Sequence, residues 1–241
     1  MQVGLADDKL RHRRIAALAA IALGCVLLWQ TWWGSLLLYP FTILATWFHE
    51  MGHGLMALLM GWSFDRLAIY PDGSGVALSL RPADTSRLAT ALVSAAGPLG
   101  PPLAGSMLLL ASRNPKATRS ALSGLAIALI LTTLIWVRSL VGWIVLPAMA
   151  IGLLAIVLRG SPKLQDFVIQ LLGVQACIST YRSVDYLFSS GGAIDGQIQR
   201  SDTAAIADAL LLPYWFWGAA ISAIILALLA GSMRLALGKR A

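Results

Sequence analysis

The chain has 241 residues, of which 58% are hydrophobic and only 12% charged, with a formal net charge of +7 and a mean hydropathy of +0.76. Soluble domains carry about a quarter charged residues, whereas here apolar runs of about 20 residues, long enough to cross a bilayer, recur throughout, which excludes a soluble fold. The basic residues form no aromatic-laced patch but cluster at run ends (Lys9, Arg11, Arg13 and Arg14; Arg234, Lys239 and Arg240), which fits membrane orientation and excludes a nucleic-acid partner.

In chain order, residues 1–14 form a basic tail. The run 15–38 imitates a signal peptide but is too long and lacks a small-residue cleavage site, so it reads as an uncleaved first span. Tyr39-Pro40 is expected to break it, with Pro40 in the first turn of a second helix that reaches about Gly61. At 63–81 the character changes: the β-prone pieces LAIY and VALSL flank PDGSG, a hairpin signal. A span at about 88–110 is interrupted by GPLGPP at 97–102, implying a kink or close packing on neighbouring helices. Spans at 121–136 and 141–158 follow, separated by Arg138. The segment 167–188 is less apolar, and Gln175, Ser179, Arg182 and Ser183 fall on one helix face as a polar stripe.

A glycine-rich loop, SSGGAIDGQIQR, then leads to Ser201-Asp202, a pair able to N-cap the last span at 204–235. Cys25 and Cys177 lie in apolar segments and read as buried small hydrophobes. The expectation is an all-α polytopic membrane protein, a single integral-membrane domain over 1–241. It has about six transmembrane helices and a small β-hairpin after the second.

That second helix carries FHEMGHGL at 48–55, although the chain has only three histidines, and Glu50 is its only glutamate. An HExxH pattern on a helix puts His49 and His53 one turn apart on one face, as two ligands of one zinc require. Glu50, one residue off that face, can reach water at the metal and accept its proton. Histidines in apolar helices are usually core residues with a satisfied hydrogen bond. Chance scattering would nevertheless produce this pattern roughly once in ten thousand chains. Burial favours the metal too: an ionisable group at mid-bilayer costs about 2.5–3.5 kcal/mol on insertion scales, against about 10–16 kcal/mol for structural zinc binding.

The motif in a membrane span, then the hairpin IYPDGSGVALSL, then SAAGPLGPPLAG, resembles the site-2 protease family of intramembrane zinc metalloproteases, in its compact branch without a PDZ domain. The resemblance covers about 41–218. It implies a Zn2+ cofactor held by His49, His53 and a distant aspartate, with Glu50 as catalytic base. It also implies a membrane-protein substrate, a lipid-bilayer setting and the inner (plasma) membrane of a bacterium.

The family's usual third-ligand context, Asn-Pro…Asp-Gly, is absent, and three aspartates compete. Asp185, at the edge of the polar stripe, is the expected ligand, with an ion pair to Arg182 as its alternative. Asp195 echoes the Asp-Gly pattern from the glycine-rich loop. Asp202 resembles an element of the compact branch, yet an N-cap explains it without metal. The hairpin reads either as a connector or as an edge strand that receives an extended substrate. Two rival functions stand beside the protease: an ion or small-solute transporter with a polar path through His49, Glu50 and Asp185, and an inactive metal-binding membrane scaffold.

Overall fold

Thr31 sets the first corner of the molecule. In the computed structural model, which describes residues 2–182, 184–194 and 196–237, helix α1 (Gln2–Trp29) ends there and α2 (Trp32–Leu59) begins. Thr31 is extended, and its hydroxyl accepts the Gly34 N–H at 3.0 Å and donates to Leu28 O at 2.9 Å. The two helices bend by 117° at this break. The expected break at Tyr39-Pro40 is therefore corrected, since Pro40 lies inside α2. A side-chain cap satisfies a helix start directly, while a proline inside an apolar bundle forfeits one hydrogen bond that its surroundings can tolerate.

The remaining helices are α3 (Arg87–Ala111), α4 (Pro115–Ile135), α5 (Leu140–Arg159), α6 (Pro162–Arg182), the single turn α7 (Val184–Leu187), α8 (Asp202–Leu210) and α9 (Tyr214–Leu237). Four of them (α3, α4, α5 and α9) are long and apolar enough to cross a membrane, and the bent α1/α2 pair makes up to five. The chain is a polytopic membrane protein. The six expected spans included 167–188, but α6 is not in that set; it carries buried Gln170 and Gln175. The expected last span at 204–235 is also two helices, because Leu211 turns left-handed (φ 71°) and Pro213 follows before α9 starts. Outward leucines such as Leu140, 77% exposed, need an apolar surround and face the lipid.

The central helix is α3, packed against α2, α6, α8 and α9. It runs unbroken through GPLGPP, and the close packing expected there is observed. A Cβ at Gly100 would overlap Phe48 O, and one at Gly52 would overlap Ala96 O; α2 and α3 meet backbone to backbone. On the other side of α2, the core is built from fully buried Ile43, Leu67, Leu129, Leu146 and Ile169.

Strands β1 (Ser63–Ile69) and β2 (Gly75–Leu80) form the expected antiparallel hairpin, with an irregularity between Phe64 and Arg66. Its turn is tied to α2: the Tyr39 hydroxyl donates to Pro71 O at 3.0 Å and Thr46 Oγ1 to Gly73 O at 2.5 Å. A second hairpin, β3 (Gly191–Ile194) with β4 (Gln197–Arg200), forms where only a loop was expected.

Candidate metal centre and its cavity

The helical repeat brings His49 and His53 to one face of α2, with their Nε2 atoms 3.1 Å apart. His53 Nδ1 lies 2.8 Å from Val93 O on α3. A carbonyl only accepts, so Nδ1 carries a proton and Nε2 is the ring atom left to face His49 and Asp202. Gly97 makes room for both rings: an added Cβ would overlap His53 Nε2 and lie 2.8 Å from His49 Nε2.

The third group comes from the far end of the chain. Ser201, and not Asp202, caps α8: its Oγ accepts the Ala204 N–H at 3.2 Å and donates to Ser189 O at 2.6 Å. Thr203 Oγ1 donates to Leu187 O at 2.9 Å. These bonds fix the start of α8 and leave the Asp202 carboxylate free of capping. Its Oδ2 lies 3.1 Å from His49 Nε2 and its Oδ1 3.2 Å from His53 Nε2. The only His/Cys/Asp/Glu group of metal-binding geometry among the described residues is therefore His49, His53 and Asp202.

The donor set fits a small divalent ion. Two donors held about 2.0–2.1 Å from a tetrahedral zinc stand roughly 3.3 Å apart, close to the 3.1 Å between the two histidine Nε2 atoms; Asp202 meets each histidine through a different carboxylate oxygen, and one ligand atom from each of the three residues lies within 4.8 Å of the others. Asp202 Oδ2 is also buried with no well-formed hydrogen bond. A buried carboxylate oxygen whose bonding is incomplete costs about 1–3 kcal/mol or more unless a cation meets it.

Asp185, the aspartate expected in this position, is exposed on α7 and is not part of the triangle. It is replaced there by Asp202, because the α6 helix ends at Arg182 and the chain turns before α8 brings its first residue back to the histidines. Asp195 lies outside the described residues. Within the polar stripe, Gln175 and Ser179 border the cavity; Ser183 and the side chain of Arg182 lie outside the described part.

Glu50 is buried, 6% exposed, and its carboxylate accepts the backbone N–H of Ala77 on β2. A Cβ at Gly75 would come 2.9 Å from Glu50 Cγ, so β2 passes close over it. The cavity at Glu50 and His49 holds about 400 Å³, and Gly75, Pro98, Gln175 and Tyr186 also border it. The Tyr186 hydroxyl spans β4 and α8, donating to Arg200 O at 3.4 Å and accepting the Asp202 N–H. Sequence reasoning missed Tyr186 and Ala77, whose roles come from long-range placement alone. Gly97 did leave a signal, in GPLGPP.

The hairpin edges differ. Leu67 donates to Trp136 O at 2.8 Å and accepts from the Arg138 N–H at 2.8 Å, so the outer edge of β1 is covered. Because Leu67 points its backbone groups outward, its partner Ala77 does so too on β2, as does Ser79 by alternation. That edge of β2 pairs with no other strand among the described residues.

A family model described as Peptidase M50B-like matches residues 18–232, which include the triangle and Glu50. Comparison with curated proteins and with solved structures returned no match.

Proposed function

The chain belongs to the Peptidase M50B-like family, the site-2 protease family of membrane metalloproteases, and from that premise we propose that it is a zinc endopeptidase cleaving peptide bonds in or near the transmembrane segments of other proteins. The observation that carries this reading is the His49–His53–Asp202 triangle beside the buried carboxylate of Glu50, inside a cavity of an apolar bundle. His49 and His53 would bind zinc through Nε2 and Asp202 through a carboxylate oxygen. Zinc bound there supplies Lewis acidity, which lowers the pKa of water in its open position to about 7 and polarises a carbonyl.

The chain's own residues supply the rest. The Glu50 carboxylate accepts the proton of the attacking water and passes it to the leaving amine, and the Ala77 N–H holds that carboxylate in place. A substrate helix keeps its carbonyls in its own hydrogen bonds and must unwind before attack. The outward groups of β2 offer an unwound segment replacement bonds by strand addition. The bacterial plasma membrane is the setting this reading implies.

The test uses protein purified in detergent. One zinc per chain by elemental analysis, with a transmembrane-segment peptide cut by wild type and left intact by zinc-loaded Glu50→Gln, is the expected result. A metal-free protein would favour the transporter, and cleavage unaffected by Glu50→Gln would end the assignment of the base.

A further inference from the structure

A polar side chain with nothing to bond sits in the wall of the same cavity. Gln175 on α6 is 3% exposed, and neither Oε1 nor Nε2 has a hydrogen-bond partner. It borders the cavity together with His49 and Glu50. A buried carboxamide without partners destabilises a fold, and leucine or methionine would fill the same volume without that penalty.

Position 175 cannot drift away from the cavity. Helix α6 is locked to α3 by close approach: a Cβ at Gly105 would stand 2.6 Å from Cys177 Sγ and 2.7 Å from Gly173 O. One turn further on, Ser179 also faces the cavity but satisfies itself by donating to Ala176 O at 2.7 Å. Gln175 is left with one donor group and one acceptor, both unused, in the wall of the cavity that the candidate base also borders.

We propose that Gln175 is a substrate-binding residue whose carboxamide pairs with the backbone N–H and C=O of one residue of the segment held in the cavity. Nε2–H donates to a carbonyl oxygen of that segment and Oε1 accepts one of its N–H groups. In an extended segment the N–H and C=O of one residue face the same edge and present the matching donor and acceptor, and the terminal torsion of glutamine is broad enough to turn the amide into the lumen. A neutral carboxamide selects no charged side chain, so it recognises extended backbone of any sequence. An extended segment directs alternate backbone groups to opposite edges, so it can bond Gln175 and β2, whose Gly75 borders the same cavity, at once.

The inference rests on the zinc-peptidase reading, and two probes separate the two. Acetohydroxamate carries a zinc-binding group alone; a leucine-containing dipeptide hydroxamate adds peptide groups. In Gln175→Met, which deletes the unpaired atoms at nearly constant volume, the dipeptide hydroxamate is expected to bind about tenfold more weakly. Acetohydroxamate affinity and zinc content should stay at wild-type values, with a Tm no lower than wild type. Gln175→Leu should behave alike. Equal affinity of wild type and both variants for the dipeptide hydroxamate would overturn the inference and leave the peptidase reading standing. Loss of zinc or of folded protein in both variants would make Gln175 structural and overturn it too. A wild type that holds no zinc and binds neither hydroxamate would remove both readings together.

Discussion

At the scale of single residues, the proposed ligands and base would divide the work, and substitution separates them. His49→Ala, His53→Ala and Asp202→Asn are each expected to lower zinc affinity by more than the roughly 10–100-fold that loss of an outer hydrogen-bond partner costs. Glu50→Gln and Asp185→Asn should retain zinc; elemental analysis of the purified variants checks the set. Zinc loss in Asp185→Asn alone would return the third position to α7. Gly97→Ala is a sharper probe, because its new Cβ would overlap His53 Nε2; it should abolish zinc binding with all three proposed ligands still in the chain. His49, Glu50 and His53 were legible because five consecutive positions on one helix set their geometry. Asp202 was not: the pair Ser201-Asp202 reads as a cap, and only the fold shows that Ser201 takes that duty and frees its neighbour.

At the scale of elements, local chemistry decided what could be read. PDGSG announced the first hairpin, since Gly73 at φ 87° and the bonds from Ser74 N and Oγ to Asp72 Oδ1 (2.9 and 2.7 Å) are turn chemistry in the residues themselves. Thr31 outranked Pro40 as a break, and the second hairpin lacked any apolar alternation to reveal it. The Ser74 hydroxyl and N–H hold the Asp72 carboxyl below its ordinary range. A lowered folded-state pKa contributes stability that is present above the unfolded value, about 3.9, and lost as pH falls through the lower one. Hydrogen-exchange protection of the turn should therefore be flat from pH 7 to about 5 and fade only below about 4; fading near pH 6 would contradict it. The β2 edge makes a second prediction. Val76 pairs with Ala68 and by alternation turns its N–H toward β1, so Val76→Pro should damage the hairpin itself. Ser79→Pro removes an outward N–H while leaving the Ala77 bond to Glu50 in place, and should cut cleavage sharply at unchanged zinc content. Normal cleavage by folded Ser79→Pro would reduce β2 to a connector.

At the scale of the whole molecule, the candidate site joins distant parts of the chain: two of its residues stand on α2 and the third on α8, with the packed helix α3 touching both. The hydrogen bonds that seat the start of α8 are local, running from Ser201 and Thr203 back to Ser189 and Leu187, so the link to α2 is the pair of Asp202 contacts with His49 and His53, which a bound metal would take over. A ligand that binds only the folded state stabilises it by RT ln(1 + [L]/Kd), about 4 kcal/mol at a thousandfold excess over Kd. Chelation of the purified protein is thus expected to lower Tm by several degrees, and zinc to restore it. The loss should be uneven. Amide exchange should rise in β3, β4 and α8, which a bound metal would tether, and change little in α4 and α5, whose packing onto the Leu129 and Leu146 core owes nothing to the site. Asp202→Asn, without its anionic donor, should show the chelated pattern from the start and respond little to added zinc. Equal exchange in α8 with and without metal would mean that the aspartate is held by the protein alone, and the triangle would then be a preformed site rather than a clasp.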